Sequence, residues 1–412
     1  MVAIVAAGGL AWRASLAEWF TTHFIFPQSG PTILPAGFSQ ITIPFELVNE
    51  HIFLRAQRNE SRPLWFMLDT GDKFTIVDLD LAKELHLRLA GNLAVRGSGA
   101  QTTTGAFVKG TDFKVQGFAG FSEPVVLAVP LRGLSGRLGH DFDGIVGSEF
   151  IQNFVVEVDY PSRTLTLHNR DTFSYLGVGR SIPVHLTSSG HPVIEAAVEP
   201  KGMAEIPGKF ELDLGASGAL ELHSPFVAQY HLPGPNEPTV PDLGSAGTGG
   251  ETSGRLGRVA FFRLGPYRFE GPPVVFSGDT SGSAAESATQ GNIGEEILSR
   301  FRLFVDYAHD RIIFEPAATF AKPFERAFSG LQMEAEGQGY RTFRIKKISP
   351  NSPASFAGLE QNDLLSSVNG TSTSRLTLSD LLDAFRESAP LELAIDRSGQ
   401  TLIVHLKPQP LI

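Results

Sequence analysis

Two aspartates lie 144 residues apart, each at the end of an apolar stretch and two residues before a glycine. Asp69 stands in LWFMLDTGDKFTIVD, and Asp213 stands in KFELDLGASGALEL. Two adjacent carboxyls can act on a peptide bond, because the ionised one takes a proton from water while the protonated one donates to the carbonyl oxygen. Like charges about 3 Å apart cannot both ionise cheaply, so the pair would share one proton. We therefore predict that Asp69 and Asp213 are catalytic.

The two aspartates occupy the same place in two similar halves of the chain. After each come a short amphipathic segment, a Gly/Ser/Thr-rich stretch, an apolar-Gly tripeptide and a closing strand pair. The paired segments are 78–89 and 223–234, 95–110 and 243–257, 145–147 and 292–294, and 154–168 and 301–315. The spacing predicts two copies of one β-rich lobe fused in tandem, with one aspartate from each lobe at a shared axis.

Local signals predict where the two amphipathic segments begin as helices. Asp80 is the expected N-cap of the first, and Ser224, followed by Pro225, is the expected N-cap of the second. In the first half, His140, Asp141 and Asp143 are of residue types that could ligate a metal. Their position just before an apolar-Gly strand favours a solvated turn instead.

Composition limits the partners and cofactors. The 412 residues carry a net charge of −10 without a basic stripe, which argues against binding to nucleic acid or anionic membrane. The chain has no cysteine, so disulfides and thiolate metal sites are excluded, and we expect no metal and no cofactor. Residues 2–11 are apolar but too few to span a bilayer. A degenerate export signal, hence a periplasmic location, and a flexible start in a cytoplasmic protein remain open.

The chain resembles the aspartic peptidases of the pepsin and retropepsin type, and in particular the bacterial aspartyl proteases with a C-terminal PDZ domain. The matching motifs are Asp69-Thr70-Gly71 with Ile145-Val146-Gly147, and Asp213-Leu214-Gly215 with Asn292-Ile293-Gly294. The resemblance implies that Asp69 and Asp213 form the dyad. It also implies that Thr70, Gly71, Leu214 and Gly215 support the dyad.

The resemblance also places a flap, a hairpin that closes over an extended substrate, at each Gly-rich stretch. The candidate flap residues are Gly99, Gln101 and Thr102 in the first half and Gly247, Thr248 and Gly249 in the second. Neither stretch contains the tyrosine of pepsin-like flaps. Two such stretches are more typical of a fused retropepsin dimer.

Three residues depart from the family pattern near the dyad. Leu214 replaces a Thr or Ser whose hydroxyl ties the two loops together, so that tie is expected from Thr70 alone. Asp72 replaces a small residue and would raise the dyad's pKa values if ionised. Asn292 replaces an apolar residue before Gly294. These departures leave an alternative open, a protein with little or no catalytic activity that only binds peptides in its cleft.

The last 85 or so residues resemble a bacterial PDZ domain, with the order strand, SPNSPA, AGL, Asp363-Leu364, Val368-Asn369-Gly370, helix and two strands. PDZ domains bind an extended chain, often a C-terminus, as an added strand. The resemblance places the carboxylate-binding loop and peptide site at Gly337, Gln338, Gly339 and Tyr340.

Together these patterns predict a mainly β protein. Its expected parts are an N-terminal segment at 1–35, retropepsin-like β-barrel lobes at 36–175 and 176–318, and a PDZ domain at 325–412. The expected activity is an aspartic-type endopeptidase acting on extended polypeptide, with a peptide or chain end bound at the PDZ domain. Both lobes lie in one chain, so no oligomer is required.

Overall fold

A computed structural model describes residues 34, 37–58, 61–99, 101–109, 111–115, 121–123, 126–243 and 246–410. The predicted N-terminal segment, 1–35, lies outside these residues apart from Leu34. The described chain is mainly β, as predicted, and forms two lobes followed by a C-terminal unit.

The first lobe contains thirteen of the described strands. They are β1 Gln40–Pro44, β2 Glu46–Val48, β3 His51–Gln57, β4 Leu64–Leu68, β5 Thr75–Asp78, β6 Arg88–Arg96, β7 Thr102–Lys109, β8 Thr111–Val115, β9 Phe121–Glu123, β10 Val126–Val129, β11 Gly144–Val146, β12 Phe154–Asp159 and β13 Thr164–Asn169.

The second lobe continues with strands of the same kind. They are β14 Arg180–Pro183, β15 His185–Leu186, β16 Pro192–Glu199, β17 Ile206–Leu212, β18 Leu220–Leu222, β19 Val240–Pro241, β20 Ala246–Gly247, β21 Gly250–Glu251, β22 Gly254–Arg258, β23 Phe261–Leu264, β24 Tyr267–Glu270, β25 Pro273–Ser277, β26 Gly291–Ile293, β27 Phe301–Asp306 and β28 Arg311–Pro316.

Each lobe has a ten-stranded sheet, and the two sheets have the same topology. The order is β6-β7-β10-β5-β11-β4-β3-β8-β9 in the first and β19-β22-β25-β18-β26-β17-β16-β23-β24 in the second, with β2 and β15 as matching side strands. In both, the strand that leads to the aspartate pairs in parallel with the apolar-Gly strand, β4 with β11 and β17 with β26. The predicted tandem repeat is therefore a duplicated fold.

A third, six-stranded sheet joins the lobes in the order β1-β13-β12-β27-β28-β14. Its central strands β12 and β27, FVVEVD and FRLFVD, are almost wholly buried. Burial at nearly every position fits strands that are covered on both faces, and the charged Glu157 and Arg302 within them pair with each other. The closing strand pair of each half thus fixes one lobe to the other.

The helices are short. They are α1 Leu79–Glu84, α2 Ser135–Leu138, α3 Ser148–Ile151, α4 Ser224–Tyr230, α5 Glu295–Leu298, α6 Pro353–Phe356 and α7 Leu378–Arg386, with 3-10 turns at Arg132–Leu134, Ser283–Ala285, Tyr307–His309, Gln338–Tyr340 and Thr373–Arg375. In the described part of the chain, none is long and apolar enough to cross a membrane.

Both predicted N-caps are displaced. Asp78 caps α1, because its carboxylate accepts from the backbone N–H groups of Asp80 and Leu81 at 3.1 and 2.9 Å. At α4 the N-cap position belongs to His223, and Ser224 is already helical. The Ser224 hydroxyl instead donates to the carbonyl oxygen of Asp279 at 2.6 Å.

Residues 317–324 attach the C-terminal unit to the second lobe. Phe320 packs edge-on against Tyr267 and Phe269, with ring centroids 5.5 and 5.6 Å apart. The guanidinium of Arg300 donates to the carbonyl oxygens of Phe320 and Lys322. This stretch is therefore part of the lobe's packing and not a free linker.

The C-terminal unit has its own apolar core and its own sheet. Its strands are β29 Ala327–Phe328, β30 Leu331–Glu336, β31 Thr342–Ile348, β32 Leu364–Val368, β33 Thr371–Ser372, β34 Leu391–Arg397, β35 Gln400–Leu406 and β36 Gln409–Pro410. The main sheet has the order β30-β31-β32-β34-β35, and β29 pairs with β36 at the two ends of the unit. Helix α7 begins at a capping box formed by Thr377 and Asp380.

Candidate active site

Asp69 and Asp213 follow directly on β4 and β17, at equivalent points of the two lobes. The backbone N–H of Asp69 donates to the carbonyl oxygen of Val146 at 3.0 Å, and that of Asp213 donates to Ile293 at 3.0 Å. The parallel pairing of β4 with β11 and of β17 with β26 therefore holds each aspartate where its strand ends.

The glycines after the two aspartates allow the carboxyls to meet. The N–H of Gly71 donates to Asp69 Oδ1 at 2.7 Å, and that of Gly215 donates to Asp213 Oδ1 at 2.9 Å. A Cβ on Gly71 would lie 2.9 Å from Asp213 Oδ2, and one on Gly215 would lie 2.2 Å from Asp69 Cγ. Each glycine thus packs against the opposite lobe's carboxyl, which leaves no room for a side chain.

The glycines of the apolar-Gly tripeptides let each loop pass close to its neighbour. A Cβ on Gly147 would lie 2.5 Å from the carbonyl oxygen of Phe74, and one on Gly294 would lie 2.7 Å from that of Gly218. Both contacts are with backbone, which cannot move aside. The pair of tripeptides noted in the sequence is therefore a requirement of loop packing.

Thr70 ties the lobes together from one side. Its buried hydroxyl donates to the carbonyl oxygen of Leu212 at 2.6 Å and accepts from the N–H of Leu214 at 2.9 Å. Leu214 is fully buried at the equivalent position and contributes apolar contact only. The tie is one-sided in the way that the sequence predicted.

Asp69 is buried, Asp213 is half-buried, and their carboxyls share a hydrogen bond. Burial, the neighbouring Asp213 carboxylate and Asp72 raise the pKa of Asp69 well above its usual range. Burial also raises the pKa of Asp213, but its hydrogen bonds from Gly215, Asp69 and Asn292 oppose this. Both pKa values are therefore raised, and the hydrogen bonds that Asp213 accepts favour its ionised form.

Asn292 gives this asymmetry a structural cause. Its side-chain amide donates to Asp213 Oδ2 at 3.4 Å, whereas the equivalent position in the first lobe is the apolar Ile145. Only the second aspartate therefore receives an amide donor from its apolar-Gly strand. The sequence showed Asn292 as a departure from the pattern, and its role depended on seeing where it points.

A third carboxyl, Asp72, lies beside the dyad. Burial and the charge of Asp213 raise its pKa to about 6, although His191 opposes the rise. His191 is held by Glu211, with Nδ1 and Oε2 3.5 Å apart, and its pKa is raised by that hydrogen bond. Sequence reasoning missed both residues, since His191 lies in no motif and Glu211, although it is part of the string around Asp213, was given no role there.

The six flap candidates lie at two hairpin tips. Gly99 and Gln101 lie in the tip between β6 and β7, and Thr102 begins β7. Gly247 ends β20, and Thr248 and Gly249 form its turn into β21.

The two tips contact each other. The N–H of Gln101 donates to the carbonyl oxygen of Gly249 at 2.7 Å. A Cβ on Gly99, whose φ is +93°, would lie 2.6 Å from that same oxygen. Residues of both tips, including Ser98 and Thr248, line the cavity that contains the dyad. The structure therefore brings the two flap candidates together over one cleft.

The turn at 140–143 is not simply solvated. Asp143 is buried. Its carboxylate accepts hydrogen bonds from both terminal guanidinium nitrogens of Arg62, at 2.8 and 2.5 Å, and from the backbone N–H of Trp65 at 3.0 Å. Of His140, Asp141 and Asp143, only Asp141 is exposed. Within the described residues, no group of three or more His, Asp or Glu is arranged to hold a metal ion.

Comparison with known protein families matches two parts of the chain. Residues 54–150 match the family described as Aspartyl protease, and residues 318–396 match the PDZ domain family. The chain combines an aspartyl protease domain with a PDZ domain. No curated protein matches it. The first match covers the first lobe, and the duplicated sheet topology extends the same fold to the second.

Several solved structures are similar to parts of the chain. The aspartic proteinase from Irpex lacteus is 13% identical over 69% of this chain and 99% of its own, with a TM-score of 0.41. Basic 7S globulin from soybean is 9% identical over 69% of this chain and 97% of its own, with a TM-score of 0.40. The HtrA3 PDZ domain bound to a phage-derived ligand (FGRWV) is 25% identical over 21% of this chain and 86% of its own, with a TM-score of 0.19.

The sheet order of the PDZ domain contradicts the predicted peptide site. Gly337, Gln338, Gly339 and Tyr340 form the turn into β31, but β31 lies between β30 and β32 and has no free side. The hydroxyl of Tyr340 donates to Asp141 of the protease domain at 3.0 Å. A strand can be added only at a sheet edge, and the edge next to this turn is β30.

The protease domain covers part of that edge. Helix α2 lies against β30, where a Cβ on Gly136 would be 3.0 Å from the carbonyl oxygen of Ala335. A Cβ on Gly139 would be 2.6 Å from the Cβ of Leu378, the first residue of α7. The first lobe therefore occupies one end of the groove between β30 and α7.

The other end of this groove opens into the active-site cleft. A cavity of about 810 Å³ is lined by Asp69 and Asp213 together with Leu331, Met333, Leu382 and Arg386 of the PDZ domain. Arg386 pairs with Glu50 of the first lobe at 2.5 Å. Burial opposes the ionisation of Glu50, but Arg386 and Arg326 outweigh it and lower the pKa to about 2. The PDZ domain thus forms one wall of the cleft.

Proposed function

We propose that the chain is an aspartic-type endopeptidase that hydrolyses polypeptides in an extended conformation. The observation that carries this proposal is a hydrogen-bonded pair of carboxyls, one from each lobe, in a cleft beneath two hairpins. Two interacting carboxyls with one shared proton supply a general base and a general acid at the same place.

The two aspartates divide the work according to their environments. Asp213, which accepts from Gly215 and Asn292, takes the proton from the attacking water. Asp69, whose pKa is raised further, donates its proton to the carbonyl oxygen of the scissile bond. As the C–N bond of the tetrahedral diol breaks, the proton on Asp213 passes to the leaving amine. Asp69 takes back a proton from a hydroxyl of the diol, so the pair returns to its single-proton state.

The PDZ domain is proposed to bind a second stretch of polypeptide, including a chain end, along the part of β30 that α2 leaves uncovered. Main-chain groups at a sheet edge provide affinity for an extended peptide. The groove beside β30 also reaches the cleft, through Leu331 and Leu382. A peptide held there would lie next to the catalytic groups.

The dyad is tested by replacing each aspartate separately. Asp69→Asn and Asp213→Asn are expected to abolish cleavage of a denatured protein substrate from about pH 3 to pH 7, because a carboxamide is neither the acid nor the base. Asp171→Asn, a change at a carboxylate with 84% exposure, is the matched control and should cleave normally.

The results separate this proposal from a protein that only binds peptides. Cleavage that persists equally in both dyad variants would show that the mechanism is wrong. Binding of the substrate by the unaltered chain, without any product after long incubation, would favour the non-catalytic alternative.

A further inference from the structure

The second flap, defined as residues 246–251, touches the PDZ domain through one of its own residues. Glu251 accepts from Lys347 of β31 through one carboxylate oxygen and from Arg137 of α2 through the other. Lys347 and then Arg137 lower the pKa of Glu251. One flap side chain therefore bridges the first lobe and the PDZ domain.

A second contact lies at the approach to this flap. The side-chain amide of Gln332, on β30, donates to the carbonyl oxygen of Leu243 at 2.9 Å. Leu243 lies between β19 and β20, so it precedes the flap directly. Adjacent strands of the PDZ domain thus contact the flap at Glu251 and the segment just before the flap at Leu243.

The flap itself has little structure to fix its position. Strands β20 and β21 have two residues each and form a sheet of their own, apart from the ten-stranded sheet of the lobe. A two-stranded hairpin is marginal by itself, so its position depends on tertiary contacts. Its tip contacts the first flap through Gly249, and its side contacts the PDZ domain through Glu251.

The PDZ domain is a firm support, because it is anchored to the first lobe elsewhere. Arg386 pairs with Glu50, as described above. Ser379 of α7 accepts from the N–H of Asn49 at 3.2 Å and donates to its side-chain oxygen at 2.7 Å. These contacts lie on α7, on the far side of the groove from Lys347, so changing Lys347 leaves them in place.

We propose that the PDZ domain positions the second flap over the dyad, with Lys347 and Gln332 as the positioning residues. The proposal rests on the proposed function for its effect on catalysis. When these contacts are removed, the flap samples open positions more often and holds extended polypeptide less tightly. The dyad itself, which neither residue touches, keeps its chemistry.

The variants Lys347→Ala and Lys347→Ala/Gln332→Ala test this in the full chain. Arg344→Ala is the matched control, since Arg344 lies on the same strand and pairs with Glu336 within the PDZ domain. Lys347→Arg keeps the charge and should restore normal behaviour.

Hydrogen–deuterium exchange of the flap amides is the first measurement, and it needs no catalytic activity. Exposed ion pairs contribute about 0.2–1 kcal/mol, so exchange should be about two- to fivefold faster in Lys347→Ala and faster still in the double variant. The Arg344→Ala and Lys347→Arg proteins should match the unaltered chain. Flap exchange in the double variant equal to that in Arg344→Ala would overturn the proposal.

Steady-state kinetics provide the second measurement. KM for a peptide that spans the cleft should rise by a similar factor in Lys347→Ala while kcat stays the same, because binding is affected and the dyad is not. A lower kcat at unchanged KM would contradict flap positioning. Faster flap exchange in a chain that never cleaves peptide would sustain the positioning role and refute the endopeptidase.

Discussion

At the scale of single residues, the dyad is defined by differences between two copies of one loop. Thr70 bonds across the axis, while Leu214 at the equivalent position packs without a hydrogen bond. Asn292 donates to Asp213, while Ile145 at the equivalent position cannot. The duplicated fold is symmetric, and these differences give the two carboxyls unlike surroundings, on which the proposed division of roles rests.

Removing the hydroxyl of Thr70 should weaken both the lobe contact and catalysis. In Thr70→Val the buried carbonyl of Leu212 and the N–H of Leu214 lose their partner, which is expected to cost about 1–3 kcal/mol in the free energy of unfolding. Because the dyad loops lose their tie, kcat should fall as well. Chemical unfolding and steady-state kinetics measure the two effects. Thr70→Ser retains the hydroxyl and should stay close to the unaltered chain.

Changes at Asp72 and Asn292 should move the pH profile in opposite directions. Asp72→Asn removes a negative charge, so the dyad ionises more easily and its upper apparent pKa falls. The difference between Asp72→Asn and the unaltered chain should grow as pH rises through about 6, because Asp72, whose pKa is raised to about 6, becomes charged there. Asn292→Ala removes a donor to Asp213, so the lower apparent pKa rises.

The pH dependence of kcat/KM measures both shifts. Asn153→Ala is the control, because its amide bonds the backbone of α3 away from the dyad. Two shifts of the same sign would contradict the assignment of charge to Asp213.

The sequence was sufficient to identify the residues that lie in motifs. Asp69, Asp213 and the glycines beside them are recognisable because each is required by the backbone or by the reaction. His191 and Glu211 are not, because His191 lies in the turn just before β16, outside any motif, and the role of Glu211 on β17 depends on its contact with His191. Asn292 was visible but was interpreted as a defect, since only its direction reveals the bond to Asp213.

At the scale of elements, short hairpins and strand ends carry the site, and the errors of prediction lie there too. The first helix was expected to begin at Asp80. It begins earlier because Asp78 ends β5, and its carboxylate also accepts from the N–H groups of Leu131 and Arg132. A long-range contact therefore selected between two aspartates that are separated by one residue. The predicted peptide site failed for a related reason, since strand order is a property of the sheet.

A side chain at the tip of the second flap should prevent its closure. In Gly249→Ala the new Cβ would lie 2.5 Å from the carbonyl oxygen of Ser98, which belongs to the first flap. We expect KM to rise, with kcat/KM reduced by about tenfold or more, because misplacement of substrate by about 1 Å has effects of that size. Gly133→Ala is the control, because nothing lies within 4 Å of its Cβ. Equal kinetics for the two variants would show that the tips need not meet.

At the scale of the whole molecule, the buried acids make stability depend on pH. Burial raises the pKa of Asp69 and of Glu295, which is 1% exposed at the start of α5, well above the usual range. A carboxyl with a raised pKa contributes stability that is complete below its unfolded pKa and is lost as pH rises through its folded pKa. Glu50 acts oppositely, since its pKa of about 2 adds stability that is lost below pH 4.5.

The thermal midpoint should therefore be highest near pH 4–5 and fall by roughly 5 °C or more by pH 8. In Glu295→Gln the fall should be smaller, because a neutral amide replaces a carboxyl that must ionise in a buried place. Glu325→Gln removes an exposed carboxyl and serves as the control. Calorimetry at several pH values measures the midpoint. An identical fall in both variants would exclude Glu295 as a cause.

The covered edge of β30 has a consequence for the PDZ domain taken by itself. An uncovered sheet edge is a row of unpaired backbone groups, which readily pairs with another chain. In the intact molecule, α2 lies against this edge beside Ala335. A fragment that lacks the protease domain would expose the whole of Leu331–Glu336, so two fragments could pair edge to edge. We therefore expect the isolated fragment to self-associate and the intact chain, in which α2 covers this edge, not to do so at β30.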